Sequence, residues 1–252
     1  MKTILPVLLV LLARVAFSAD MKIARIEDKD HYTNIRAGQG TNFEILGTVD
    51  TNDLFYCEVS DSSGWYKALT YKRDKNNNQI TGYMHKSRVR IIEQLPVAAQ
   101  KNILVKVLSE EKRLGEIQNT AWEKGNWEDS AYRKAYRNAQ FHSDCRYEPI
   151  LEVLPVYFCK TKDKQILQLF FEVIWTNKGS ASEIPAFAIG DCFVCEPGII
   201  AQLILPVKNK EWKELIIEDI DWGLINRFSI GENEVPTDKK YIALKKRLDE
   251  LK

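Results

Sequence analysis

The sequence predicts a mainly β N-terminal barrel followed by an α+β domain with a mostly antiparallel sheet, and three observations carry that prediction. Up to Gln94 the chain breaks into short apolar runs separated by Gly, Asn and Asp, with no helical period. After Pro96 a helix-spaced stripe begins, and a second one closes the chain near Leu251. Between those stripes lie paired apolar runs rich in β-branched and aromatic residues, which read as hairpins.

Residues 1–19 precede both domains and have the pattern of an export signal. Lys2 is followed by an apolar run from Ile4 to Leu12, and Ala16, Ser18 and Ala19 supply small residues for cleavage. The run is too short to span a bilayer comfortably, so no stable membrane span is expected after cleavage. Removal of Lys2 and Arg14 takes the formal charge from +1 to −1. A nearly neutral chain has no long-range attraction for nucleic acid, which excludes that class of partner. Localisation is expected to be exported, periplasmic or extracellular.

The barrel is expected over residues 20–95, with strands near Lys22 to Ile26, Glu44 to Val49, Leu54 to Val59, Trp65 to Tyr71, Ile80 to Met84 and Val89 to Ile92. So many short strands in so few residues favour a closed or nearly closed barrel, since a flat sheet exposes both edges. Gly38 and Gly40 suit a sharp loop after Asn34-Ile35-Arg36, and Gly64 suits the turn before Trp65. Lys72 to Gln79 is too polar to bury and reads as an exposed hairpin tip.

The stretch from Tyr32 to Val89 resembles the bacterial SH3-like domain family. The matching residues are Tyr32, Asn34, Arg36-Ala37-Gly38, Gly40-Thr41, Ile45 and Gly47, then Gly64-Trp65-Tyr66, and finally Gly82-Tyr83, His85 and Ser87-Arg88-Val89. The long tip at Lys72 to Gln79 and Leu54-Phe55 before the third strand depart from the family pattern. The resemblance implies a non-catalytic module of the cell envelope that binds a peptide, a peptidoglycan stem or a protein partner. Tyr32, Arg36, Trp65, Tyr66 and Tyr83 are the expected ligand-binding residues. Their rings suit an apolar slot with hydroxyl and indole donors at its rim, although packing within the barrel is an equally natural use for Trp65 and Tyr83.

The domain over residues 96–252 opens with Ile103, Leu104, Val107, Leu108 and Leu114 at helical spacing from Val97 to Glu116. Thr120 and Glu123 have capping-box spacing, and a second helix is expected from Asp129 to Phe141. Leu151 to Cys159 and Gln165 to Trp175 read as a hairpin around Lys160 to Lys164. Ile184 to Cys195 and Ile199 to Val207 read as another around Glu196-Pro197-Gly198, with Trp212 to Ile217 as a further strand. Thr237 is the expected cap of a last helix carrying Tyr241, Leu244, Leu248 and Leu251.

Little in this domain predicts chemistry, and no cofactor or metal is expected. The only histidines are His31, His85 and His142, so none follows Cys145 in the order a cysteine peptidase needs. Cys192-Phe-Val-Cys195 has metal-ligand spacing without a second pair. Four cysteines here permit three complete disulfide pairings, which sequence leaves open. Glu218-Asp219-Ile220-Asp221 beside Trp222 reads as a solvated loop, and Trp122, Trp127, Tyr132 and Tyr136 as a packed corner. The expected function is an exported, non-catalytic envelope protein. Two alternatives are a wall hydrolase with its site after Pro96, and a structural protein whose barrel docks on its own second domain.

Overall fold

The computed structural model describes residues 21–59, 63–125, 128–177, 182–231 and 234–252, so the export-signal reading falls outside the described residues. The chain divides into two compact units after Gln94.

The first unit is a seven-stranded antiparallel sheet in the order β3-β2-β6-β5-β4-β1-β7. Its strands are β1 (Met21–Ile26), β2 (Tyr32–Arg36), β3 (Ile45–Asp50), β4 (Phe55–Glu58), β5 (Trp65–Arg73), β6 (Gln79–His85) and β7 (Val89–Ile91). Six coincide with expected strands, and β2 is additional. Alternation decides which side is buried: Ala24, Ile26, Ile35, Val49, Phe55, Cys57, Ala68, Met84, Val89 and Ile91 form one core.

The sheet is not closed, which corrects the expectation of a barrel. Among the described residues no ladder joins β3 to β7, the two ends of the order. The reason lies in β2, which meets β6 at one register position, Arg36 opposite Tyr83. The β2–β3 hairpin therefore hangs at one end of the sheet. Gly82 permits that approach, since a Cβ there would press on Ile35 Cγ2 at 2.7 Å.

The second unit is helical among the described residues, which corrects the α+β expectation. Its helices are α1 (Val97–Lys124), α2 (Ser130–His142), α3 (Glu148–Thr161), α4 (Lys164–Thr176), α5 (Ile184–Cys195), α6 (Pro197–Ile204), α7 (Lys210–Arg227) and α8 (Lys239–Asp249). Four of the five expected strands lie wholly in helices, and the fifth, Ile199 to Val207, runs through α6 and three residues past its end. In α3 the buried residues Ile150, Leu151, Val153, Leu154, Tyr157 and Phe158 follow helical spacing. Ile166, Leu167, Phe170, Phe171 and Ile174 do the same in α4. The expected turn at Lys160 to Lys164 ends α3 with Lys162 at φ 58° and starts α4 with Asp163, whose carboxylate accepts from Gln165 and Ile166 N–H. The expected turn at Glu196 is a bend of 116° between α5 and α6.

Two caps also differ. Thr120 and Glu123 lie inside α1, and Asp238 rather than Thr237 caps α8. Between α2 and α3 the helix widens into a π turn over Ser143–Tyr147, which turns Cys145 and Tyr147 inward. Helices α5 and α7 make the most extensive helix contact, and glycines make it possible. A Cβ on Gly190 would come within 2.7 Å of Gly223 Cα. No single helix among the described residues is long and apolar enough to cross a membrane.

Candidate functional site

On an antiparallel ladder, directly opposed residues share a face. Glu58 opposes Lys67, Lys67 opposes Tyr83 and Tyr83 opposes Arg36. These four side chains form a row across β4, β5, β6 and β2 on the face away from the core. Trp65 opposes His85 in the adjoining row, and the two rings meet edge to face at 5.2 Å. Tyr32, four residues before Arg36 on β2, is 49% exposed on the same face.

The structure therefore brings together four of the five expected ligand-binding residues: Tyr32, Arg36, Trp65 and Tyr83. Tyr66 is the exception. It opposes Met84 and packs against the core, with Lys86 Nζ 4.9 Å above its ring. Sequence reasoning overlooked Lys67, Glu58 and His85. Alternation from Trp65 was the signal that could have found Lys67.

Arg36 also serves the loop beside it. Its Nη1 donates to the carbonyl oxygens of Thr41 and Phe43, each at 2.8 Å, so the guanidinium clamps the turn between β2 and β3. A second brace comes from Asp28, which pairs with Arg88 Nη1 at 2.5 Å and accepts from Thr33 Oγ1 at 2.9 Å. The Asp30 backbone N–H, followed by Thr33 and Arg88, holds the Asp28 carboxyl below its ordinary range against the opposing cost of desolvation. This links the β1–β2 turn to the segment leaving His85.

The helical unit holds a second polar centre, at depth. Glu111 of α1 and His142 of α2 are both buried, with His142 Nδ1 2.7 Å from Glu111 Oε2. Asn177 Nδ2 donates to Glu111 Oε1 at 2.9 Å. Tyr147 lies near them with its hydroxyl buried and unpartnered, and burial followed by the Glu111, Asp219 and Glu148 charges pushes the phenol well above its ordinary value. Ser182 Oγ donates to Glu148 Oε1 at 3.0 Å, while burial raises the Glu148 carboxyl. His142 thus faces a carboxylate, a partnership sequence reasoning missed because the two lie 31 residues apart.

Glu218 to Asp221 lie within α7 instead of a loop; Asp221 Oδ2 pairs with Lys245 at 2.5 Å and Asp219 is half-buried. Trp122, Tyr132 and Tyr136 form successive tilted ring pairs at 5.5 and 6.2 Å, with Trp122 and Tyr136 exposed, and Trp127 lies outside the described residues. A cavity of about 430 Å³ is lined by Phe171, Leu203, Pro206 and Trp212 among others. Among the four cysteines left open, Cys159 and Cys195 are bonded, with Cα atoms 5.8 Å apart. Cys57, Cys145 and Cys192 are buried and lie outside this disulfide. Among the described residues no group of three or more acidic, His or Cys side chains is placed to hold a metal.

Compared with known proteins, the chain matches no family model, no curated protein and no solved structure.

Proposed function

We propose that the chain is an exported, non-catalytic protein of the cell envelope whose sheet unit binds a peptide or a peptidoglycan stem. The observation that carries this reading is the shared face of Tyr32, Arg36, Trp65 and Tyr83, with Lys67 in the same row. Aromatic surface supplies apolar contact at small entropic cost, and two cations flanking the Tyr83 phenol suit a ligand bearing carboxylates. The resemblance to bacterial SH3-like domains points the same way. The leader at residues 1–19 supports export.

The buried centre around Glu111 favours a structural use over a hydrolytic one. A carboxylate with 4% exposure offers no lone pair to an arriving substrate.

Co-sedimentation with purified peptidoglycan tests the proposal. The wild-type chain is expected in the pellet, and Trp65→Ala combined with Tyr83→Ala is expected to leave it in the supernatant. Equal retention of the two would remove the sheet face as the binding site.

A further inference from the structure

Going beyond ligand binding, we propose that the Cys159–Cys195 disulfide is an exchange site that accepts two electrons from a dithiol. The bond joins the end of α3 to the end of α5, and both cysteines are half-buried, so a small thiol reaches them without unfolding the chain. Lys162 Nζ lies 3.5 Å from Cys195 Sγ and donates to it. The same ammonium pairs with Glu196 Oε1 at 2.5 Å, which holds it in place. Lys162 itself is fixed by its left-handed backbone at φ 58° and by its N–H bond to Phe158 O at 2.8 Å.

This geometry makes the two sulfurs unequal. A cation beside a sulfur favours its thiolate, and the sulfur with the more stable thiolate is the better leaving group. Cys195 has that cation. Both cysteines close a helix, Cys159 in the last turn of α3 and Cys195 as the last residue of α5, so the negative helix ends weigh on both sulfurs and the Lys162 ammonium is what distinguishes them. Electrons therefore flow toward Cys195.

The first thiolate of the dithiol attacks Cys159 Sγ. A new S–S bond forms there, the Cys159–Cys195 bond breaks, and its electron pair leaves on Cys195 Sγ beside Lys162. The second thiolate of the dithiol then attacks its own sulfur in the mixed disulfide and releases Cys159. The dithiol departs as a cyclic disulfide, having lost two electrons and two protons. One proton ends on Cys159, and the other passes to solvent while Cys195 remains a thiolate.

Cys192 lies three positions before Cys195 on α5 but does not compete as the attacking group. Burial, with Asp191 adding to it, pushes its thiol well above the ordinary value and keeps it protonated. Internal reshuffling is therefore slow, and an external dithiol is required.

The test reduces the folded full chain with dithiothreitol, followed by acid quench, alkylation and mass spectrometry, while circular dichroism monitors the fold. Reduction is expected to be first order in dithiothreitol with the helical signal retained. Lys162→Met is expected to slow it about tenfold, and Lys162→Arg to restore it. In the reduced wild-type chain, alkylation of Cys195 is expected to show a midpoint below that of an ordinary thiol, about 8.5. This last readout holds even if Lys162→Met fails to fold. Reduction that proceeds only at the unfolding rate, or an unshifted Cys195 midpoint, would overturn the proposal.

Discussion

Glu111 and His142 bridge α1 and α2 through a bond of 2.7 Å between side chains only 5% and 4% exposed. Removing one partner leaves the other polar group buried and under-satisfied, which costs far more than the pair contributes as a unit. His142→Ala is expected to lose about 3 kcal/mol in urea unfolding of the helical unit. Glu111→Gln keeps a hydrogen-bond acceptor and should lose less. A His142→Ala midpoint equal to that of the wild type would show that the bond does not hold α1 to α2.

Asp219 introduces a pH dependence of opposite sign to the usual carboxylate. Burial, with Glu218 adding to it, raises its carboxyl from 3.8 to about 6. Between those values the folded state binds more protons than the unfolded one, so this group adds stability as pH falls from about 6 toward 4 and carries a penalty above 6. Half-burial reduces the effect to about 2 kcal/mol. Asp219→Asn is expected to be the more stable protein at pH 7, with the difference from wild type shrinking as pH approaches 4. Parallel stability profiles would refute the assignment.

The crossing of α5 and α7 depends on two missing methyl groups. Gly223→Ala and Gly190→Ala each force the helices apart and are expected to destabilise by about 2 kcal/mol. Gly198→Ala is the control, because nothing lies within 4 Å of a Cβ there. Thermal melts of the three variants should separate the first two from the third.

Arg36 links the candidate surface to its loop. Arg36→Ala removes both carbonyl contacts and is expected to cost about 1–2 kcal/mol locally. The sensitive measurement is hydrogen exchange at Ala37, whose N–H bonds Glu44 O at 2.9 Å. Both contacts come from the one Nη1, so Arg36→Lys, whose ammonium also carries several donors, should exchange more slowly than Arg36→Ala. Wild-type protection in both variants would free Arg36 from this role.

What was readable from sequence follows the physics of each unit. In the sheet unit one face is buried and one is not, so Ile80-x-Gly82-x-Met84 and its partners alternate visibly. Only β2 was overlooked, its residues having been read as the approach to a loop. In the helical unit the amphipathic helices at the two ends were legible and the buried middle was not. Helix α5 is apolar nearly all round, and its Ile, Phe and Val content mimics a strand. In α3 and α4 the pairs at i, i+1, i+4 and i+5 were present, but β-propensity was weighed above them. Of the candidate surface, the rings were visible as types, while Tyr66 shows that a shared motif does not guarantee a shared face. The Glu111–His142 bond and the Lys162–Cys195 contact arise from tertiary packing and left no local trace.

The unpaired border of the sheet has a further consequence for handling the molecule. At β3, the terminal strand, Ile45 and Leu46 are 50% and 40% exposed. Free backbone groups beside greasy side chains invite a like strand from another copy, so concentrated solutions should self-associate there first. Leu46→Lys places a charge on that exposed edge position and should raise the concentration at which scattering begins.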